Sequence, residues 1–104
     1  MMDQNGHKEE QVRKYEGIFI FQPEDSLFTK GKEIVTSEFE KAGIKVNKEK
    51  DMGNRELAYE IKDQQRGHYM FYALDAEPES LIPLRKSLKL KTEVLKHMIF
   101  RGDE

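Results

Sequence analysis

Two stretches of this 104-residue chain, Val12 to Phe21 and His68 to Ala76, carry apolar side chains at both odd and even positions, and this restricts the fold more than any other feature. In the first, Tyr15, Gly17, Phe19 and Phe21 alternate with Glu16, Ile18 and Ile20; in the second, Met70, Tyr72 and Leu74 alternate with Tyr69, Phe71 and Ala73. Side chains of a strand alternate between the two faces of its sheet, so each segment presents apolar surface on both sides and belongs in the middle of a sheet. Tyr15, Phe19, Phe21, Met70, Tyr72 and Leu74 are expected to lie under helices, with Gly17 leaving room for a helix. Ile18, Ile20, Tyr69, Phe71 and Ala73 then face the other way. A register slip of one residue would exchange the two sets and leave both faces apolar.

The other segments fall around these two. Gln22 to Ser26 is a turn, because Pro23 has no ladder donor, and Asp25 or Ser26 is placed to cap a helix. From Leu27 to Ala42 the apolar residues Leu27, Phe28, Ile34, Val35, Phe39 and Ala42 recur at helical spacing. Gly31 weakens that helix by about 1 kcal/mol relative to alanine, and Gly43 suits a left-handed stop. Ile44 to Asp51 and Gly53 to Lys62 read together as one long strand bent at Met52-Gly53, followed by a hairpin loop from Asp63 to Gly67. A short helix near 80–88 accommodates Pro83 in its first turn if Ser80 is the N-cap, and Val94 to Arg101 is the last strand.

The order strand, helix, strand, strand, helix, strand specifies an α+β fold of the ferredoxin-like, split βαβ kind (βαββαβ). It is a four-stranded antiparallel sheet with two helices on one face and the first and third strands central. The expected organisation is a flexible leader over residues 1–11, one domain over 12–101 and a short tail over 102–104.

Composition removes several classes of function. There is no cysteine, hence no disulfide framework or thiolate metal site. His7, His68 and His97 have no metal-ligand spacing, the glycines form no phosphate loop, and no cofactor is expected. No apolar stretch approaches the roughly 20 residues of a membrane helix. Met1 to Gln11 is polar and acidic rather than signal-like, so a cytoplasmic location is expected. The net charge of −2 argues against strong unaided binding to nucleic acid. The charge is uneven, however: Arg85, Lys86, Lys89, Lys91, Lys96 and Arg101 stand against Glu93 alone. That run is either a solvated surface or a local phosphate-facing patch.

Gly53-Asn-Arg55-Glu-Leu57-Ala-Tyr59-Glu60-Ile61-Lys62 contains no nucleophile, general base or metal-ligand set. It reads as a strand with Leu57, Tyr59 and Ile61 on one face, Tyr59 as a core residue, and Arg55 and Lys62 among the polar positions. The apolar outer face of Ile18, Ile20, Tyr69 and Phe71 marks an interaction site. Stacking of RNA bases, dimerisation and a protein partner could each cover it. Aliphatic Ile18 and Ile20 are poor stacking platforms, which favours a protein partner. A Glu16/Asp75 acid–base pair is set aside as solvated surface, and no enzyme activity is expected.

Arg13-Lys14-Tyr15-Glu16 opening the first strand, Pro23 ending it, Gly53-x-Arg55-x-Leu57-Ala58-Tyr59-x-Ile61-Lys62 and Gly67-x-Tyr69 together resemble the bacterial small-subunit ribosomal protein S-six family over roughly residues 12–101. The acidic leader, Gly17, Pro83 and the short C-terminal segment depart from the family pattern without touching the signature. The resemblance implies a non-enzymatic, structural constituent of the small ribosomal subunit. Such a protein binds the central domain of small-subunit ribosomal RNA cooperatively with the basic ribosomal protein S-eighteen. It carries RNA contact onto Arg13, Lys14, Arg55 and Lys62; Lys96 and Arg101 are added from the charge pattern. The alternative is a free-standing dimeric binding or regulatory domain without RNA binding.

Overall fold

In a computed structural model of the protein, residues 12–102 are described; the leader over 1–11 and residues 103–104 of the tail lie outside them. The elements are β1 (Arg13–Phe21), α1 (Asp25–Lys41), β2 (Lys45–Ile61), β3 (Gln64–Ala76), a 3-10 turn (Pro78–Ser80), α2 (Leu81–Lys89) and β4 (Val94–Arg101). The strands form one sheet in the order β2-β3-β1-β4 with antiparallel neighbours. This is the ferredoxin-like arrangement, with β1 and β3 central as expected.

The core lies between one face of the sheet and the two helices. Tyr15, Phe19, Phe21, Met70, Tyr72 and Leu74 are all buried there, with Val35 and Phe39 from α1 and Leu81, Leu84 and Leu88 from α2. Phe19 meets Phe39 and Tyr72 edge-on, with centroids 5.7 and 5.2 Å away, a geometry favoured by the ring quadrupoles. The space over Gly17 is taken by the Phe19 ring, only 2.8 Å from where a Cβ would stand, and by Ile99, rather than by a helix.

Local chemistry differs from expectation at several ends. α1 begins at Asp25 after Glu24, and neither Asp25 nor Ser26 caps it; the Ser26 hydroxyl instead donates to the Glu24 carboxylate at 2.8 Å. Its far end is a Schellman motif, with Ile44 N–H donating to Phe39 O and Gly43 N–H to Glu40 O. Ser80 precedes α2, with Pro83 in the first turn as expected, but its hydroxyl donates back to Glu77 O rather than capping.

β2 is the single long, bent strand anticipated, with register shifts between Val46 and Lys48 and between Asp51 and Gly53. At the second, Gly53 takes φ +89° and its N–H donates to Asp51 Oδ1 at 2.8 Å. The hairpin loop is not at Asp63 to Gly67. Ile61 pairs with Gln64 around Lys62 and Asp63, both left-handed at φ 49° and 67°. That is a two-residue turn whose twist matches the flanking strands, and it adds Gln64 to Gly67 to β3.

Candidate functional site

Residues directly opposite each other on neighbouring strands share a face, so the register assigns the sheet surface away from the helices. β1 contributes Lys14, Glu16, Ile18 and Ile20; β3 contributes Tyr69, Phe71, Ala73 and Asp75. β4 adds Lys96, Met98 and Phe100, opposite Ile20, Ile18 and Glu16. The middle of this open face is a lane of half-buried Ile18, Phe71 and Met98, continuing into Phe100, which is 54% exposed. Sequence reasoning missed Met98 and Phe100. Their period-two spacing from Lys96 along β4, alternating with His97 and Ile99, was the available signal.

One end of the face is closed by the chain itself. Ile20 is 3% exposed, packed with Leu57 of the hairpin and Leu95 of β4, with Ile18, Ile61, Tyr69 and Met98 around them. Ile20 is therefore no part of an open docking surface; Ile18, Tyr69 and Phe71 remain half-buried and accessible. Tyr59 is not core either. It is 62% exposed, its hydroxyl accepts a hydrogen bond from Lys96 Nζ at 2.9 Å, and that ammonium lies 5.5 Å from the ring centre. Alternation placed Leu57, Tyr59 and Ile61 on one side correctly, but only the first and third reach the cluster.

The six cations assigned to RNA separate into three groups. Lys14, Arg55 and Lys96 stand on the open face. Lys14 pairs with Asp75 at 3.4 Å, and the Arg55 guanidinium lies 5.8 Å from the Tyr69 ring centre while its Nε donates to Met52 O. Arg13 and Arg101 sit at the end where β1 begins, in register with Ala76 and Tyr15 of the helix side. Lys62 is exposed but engaged: its Nζ donates to the carbonyls of Lys91 and Val94 at 3.3 and 3.0 Å, tethering the hairpin to the start of β4.

The basic run from Arg85 to Arg101 does not form one patch. Lys96 is on the open face, whereas His97 is on the helix side, where burial first, and then Arg85 and Lys89 of α2, lower its pKa. Arg85 Nη2 also donates to Ile99 O at 3.3 Å, and Lys91 lies 4.0 Å from Glu38. Among the described residues no group of three or more His, Cys, Asp or Glu is placed to hold a metal, and no helix is long and apolar enough to cross a membrane. What this surface offers chemically is non-covalent: an apolar lane bordered by fixed positive charge.

Comparison with known proteins gives a consistent result. Residues 14–101 match the family model of Ribosomal protein S6. The chain is 33% identical over 93 residues to the small ribosomal subunit protein bS6 of Treponema denticola, covering 89% of this chain and 100% of that protein. In structure it resembles the crystal structure of 30S ribosomal protein S6 from Thermotoga maritima, with a TM-score of 0.78 and 28% identity over 88% of each chain. It also resembles the C-terminal domain of the MgtC protein from Mycobacterium tuberculosis, at a TM-score of 0.63 and 14% identity over 91% of this chain and 93% of that one. The last likeness concerns the fold alone.

Proposed function

The chain belongs to the ribosomal protein S6 family, and from that premise we propose that it joins the central domain of small-subunit ribosomal RNA to the basic ribosomal protein S-eighteen. It is a structural, non-enzymatic protein of the small ribosomal subunit, and its place is the cytoplasmic ribosome. The observation that carries the finer reading is the open face. An apolar lane of Ile18, Phe71, Met98 and Phe100, with Tyr69 beside it, receives the protein partner. Cations border this lane on both sides, Arg55 on β2 and Lys96 on β4, with Lys14 at the end near Asp75.

The two ligands then meet on one surface, which gives a physical route to cooperativity. A cationic protein seated on the lane continues the positive border, and the RNA binds the composite more tightly than either half. The weakly acidic chain cannot supply that affinity unaided. Arg13 and Arg101 contribute from the end of the sheet, while Lys62 acts mainly by holding the hairpin down.

Filter binding of a central-domain RNA fragment, with and without the basic partner, tests this. RNA retention should require the partner. Arg55→Ala should weaken it and reduce its salt dependence, and Phe71→Asp should abolish capture of the partner while the circular dichroism spectrum is unchanged. Dimerisation without RNA retention would replace the proposal with a free-standing dimer.

A further inference from the structure

β2 carries charge sorted by sign between the two faces of the sheet, a pattern invisible in the linear sequence. Lys45, Lys48 and Lys50 pair with Asp75, Ala73 and Phe71, and Arg55 with Gly67, so all four cations take the open face. Glu49, Asp51 and Glu56 pair with Tyr72, Met70 and Arg66 and take the opposite one. Asp51 Oδ1 lies 2.6 Å from His68 Nε2, and that ring stacks on Phe28 of α1, which places this acid on the helix side.

Two bulges produce the sorting. Lys45 and Lys48 are three apart and would face opposite ways in a regular strand. The extra residue between Val46 and Lys48 restores the parity, and the one between Asp51 and Gly53 restores it again for Arg55.

We propose that this row is a phosphate track: Lys45, Lys48 and Lys50, continued by Arg55, receive the RNA backbone along the edge of the open face. The inference rests on the RNA-binding reading above and names where the strand of RNA runs. The three lysines are exposed and have no ion-pair partner among the described residues. From Lys45 to Lys50 the row runs along four residue spacings of β3, Asp75 to Phe71, about 13 Å.

Lysines on an edge strand also discourage strand-to-strand aggregation. Bulges on an edge strand serve that role too, but neither device requires the cations on one face and the acids on the other. The same row would repel a cationic protein, so it divides the open face into a polyanion border and the apolar lane beside it.

The test uses the full chain with its basic partner, and a central-domain fragment of small-subunit ribosomal RNA as probe. The triple variant Lys45→Gln, Lys48→Gln, Lys50→Gln is compared with a charge-matched control on α1, Lys30→Gln, Lys32→Gln, Lys41→Gln, and with an all-arginine version of the β2 triple. Removing three phosphate contacts should reduce the slope of log affinity against log salt by about two. Affinity should fall at least tenfold, the arginine version should keep the wild-type slope, and the α1 control should keep it too. A β2 triple no different from the α1 control overturns the track while the function stands. A wild-type chain that fails to retain the RNA even with its partner overturns both.

Discussion

His68 Nε2 and Asp51 Oδ1 stand 2.6 Å apart, and the same imidazole lies flat on Phe28 with ring centroids separated by 3.5 Å. One side chain thus ties β2 to β3 and to the first helix. The hydrogen bond with His68, aided by the Gly53 amide, holds the Asp51 carboxyl below its usual 3.8 although desolvation opposes this. A carboxylate depressed in the folded state contributes stability that is complete above pH 3.8 and disappears as pH falls through the lower folded value. Asp51→Asn should therefore be less stable than wild type at pH 7, and the gap should close as pH drops below 3.8. Urea unfolding at pH 7, 4 and 3 measures it; a gap that stays constant would refute the linkage.

His97 titrates in a different window. Burial, then the charges of Arg85 and Lys89, lower its pKa from the ordinary 6.5, and its ring lies 5.9 Å from that of buried Phe19. The unfolded chain takes up this proton first as pH falls. The contribution of neutral His97 is complete above 6.5 and is lost progressively toward the depressed folded value. The difference in unfolding free energy between wild type and His97→Gln should shrink from pH 8 to pH 5.5. Denaturant curves at both pH values decide it, and a difference that grows on acidification would be contrary.

Gly31 sets two effects of opposite sign against each other. In an exposed helix interior, Gly→Ala gains about 1 kcal/mol. Here a Cβ would stand 2.6 Å from Cδ1 of Phe21 and 3.3 Å from Cβ of Glu93, and the Phe21 side chain is fully buried in the core. Overpacking costs about 1–3 kcal/mol and should win. Gly31→Ala is expected to destabilise by up to about 2 kcal/mol in chemical denaturation. Stabilisation would mean that α1 moves away from the sheet freely.

Gly31 also marks the boundary of what was legible in the sequence. Helical spacing located α1, and the residue's packing role against Phe21 needs coordinates. The central strands could be read because apolar residues on both faces leave few other places for them, and the register of Phe19 with Met70 follows that pattern. Lys62-Asp63 as the turn could not be read, since neither residue carries the glycine signal of a left-handed pair. The misplacement of Tyr59 has a related cause: alternation fixes a face, while cover depends on how the hairpin tip lies over the end of the sheet. The cation row failed the same way, because unpaired Asn47 and Met52 each reverse the parity of everything after them.

Tyr72 offers a gain in stability from a deletion. Its side chain is fully buried beside Phe19 and Phe39, and its hydroxyl has no hydrogen-bond partner among the described residues. An unsatisfied buried polar group costs about 1–3 kcal/mol, whereas phenylalanine keeps both edge-on ring contacts and most of the volume. Tyr72→Phe should stabilise the fold by about 1 kcal/mol, raising the thermal midpoint by roughly 4–8 °C for a domain of this size. The phenol is held far above its ordinary pKa by burial, so the gain should be unchanged between pH 7 and pH 9. A midpoint lowered by the substitution would mean that the hydroxyl has a partner in solution and contributes to stability there.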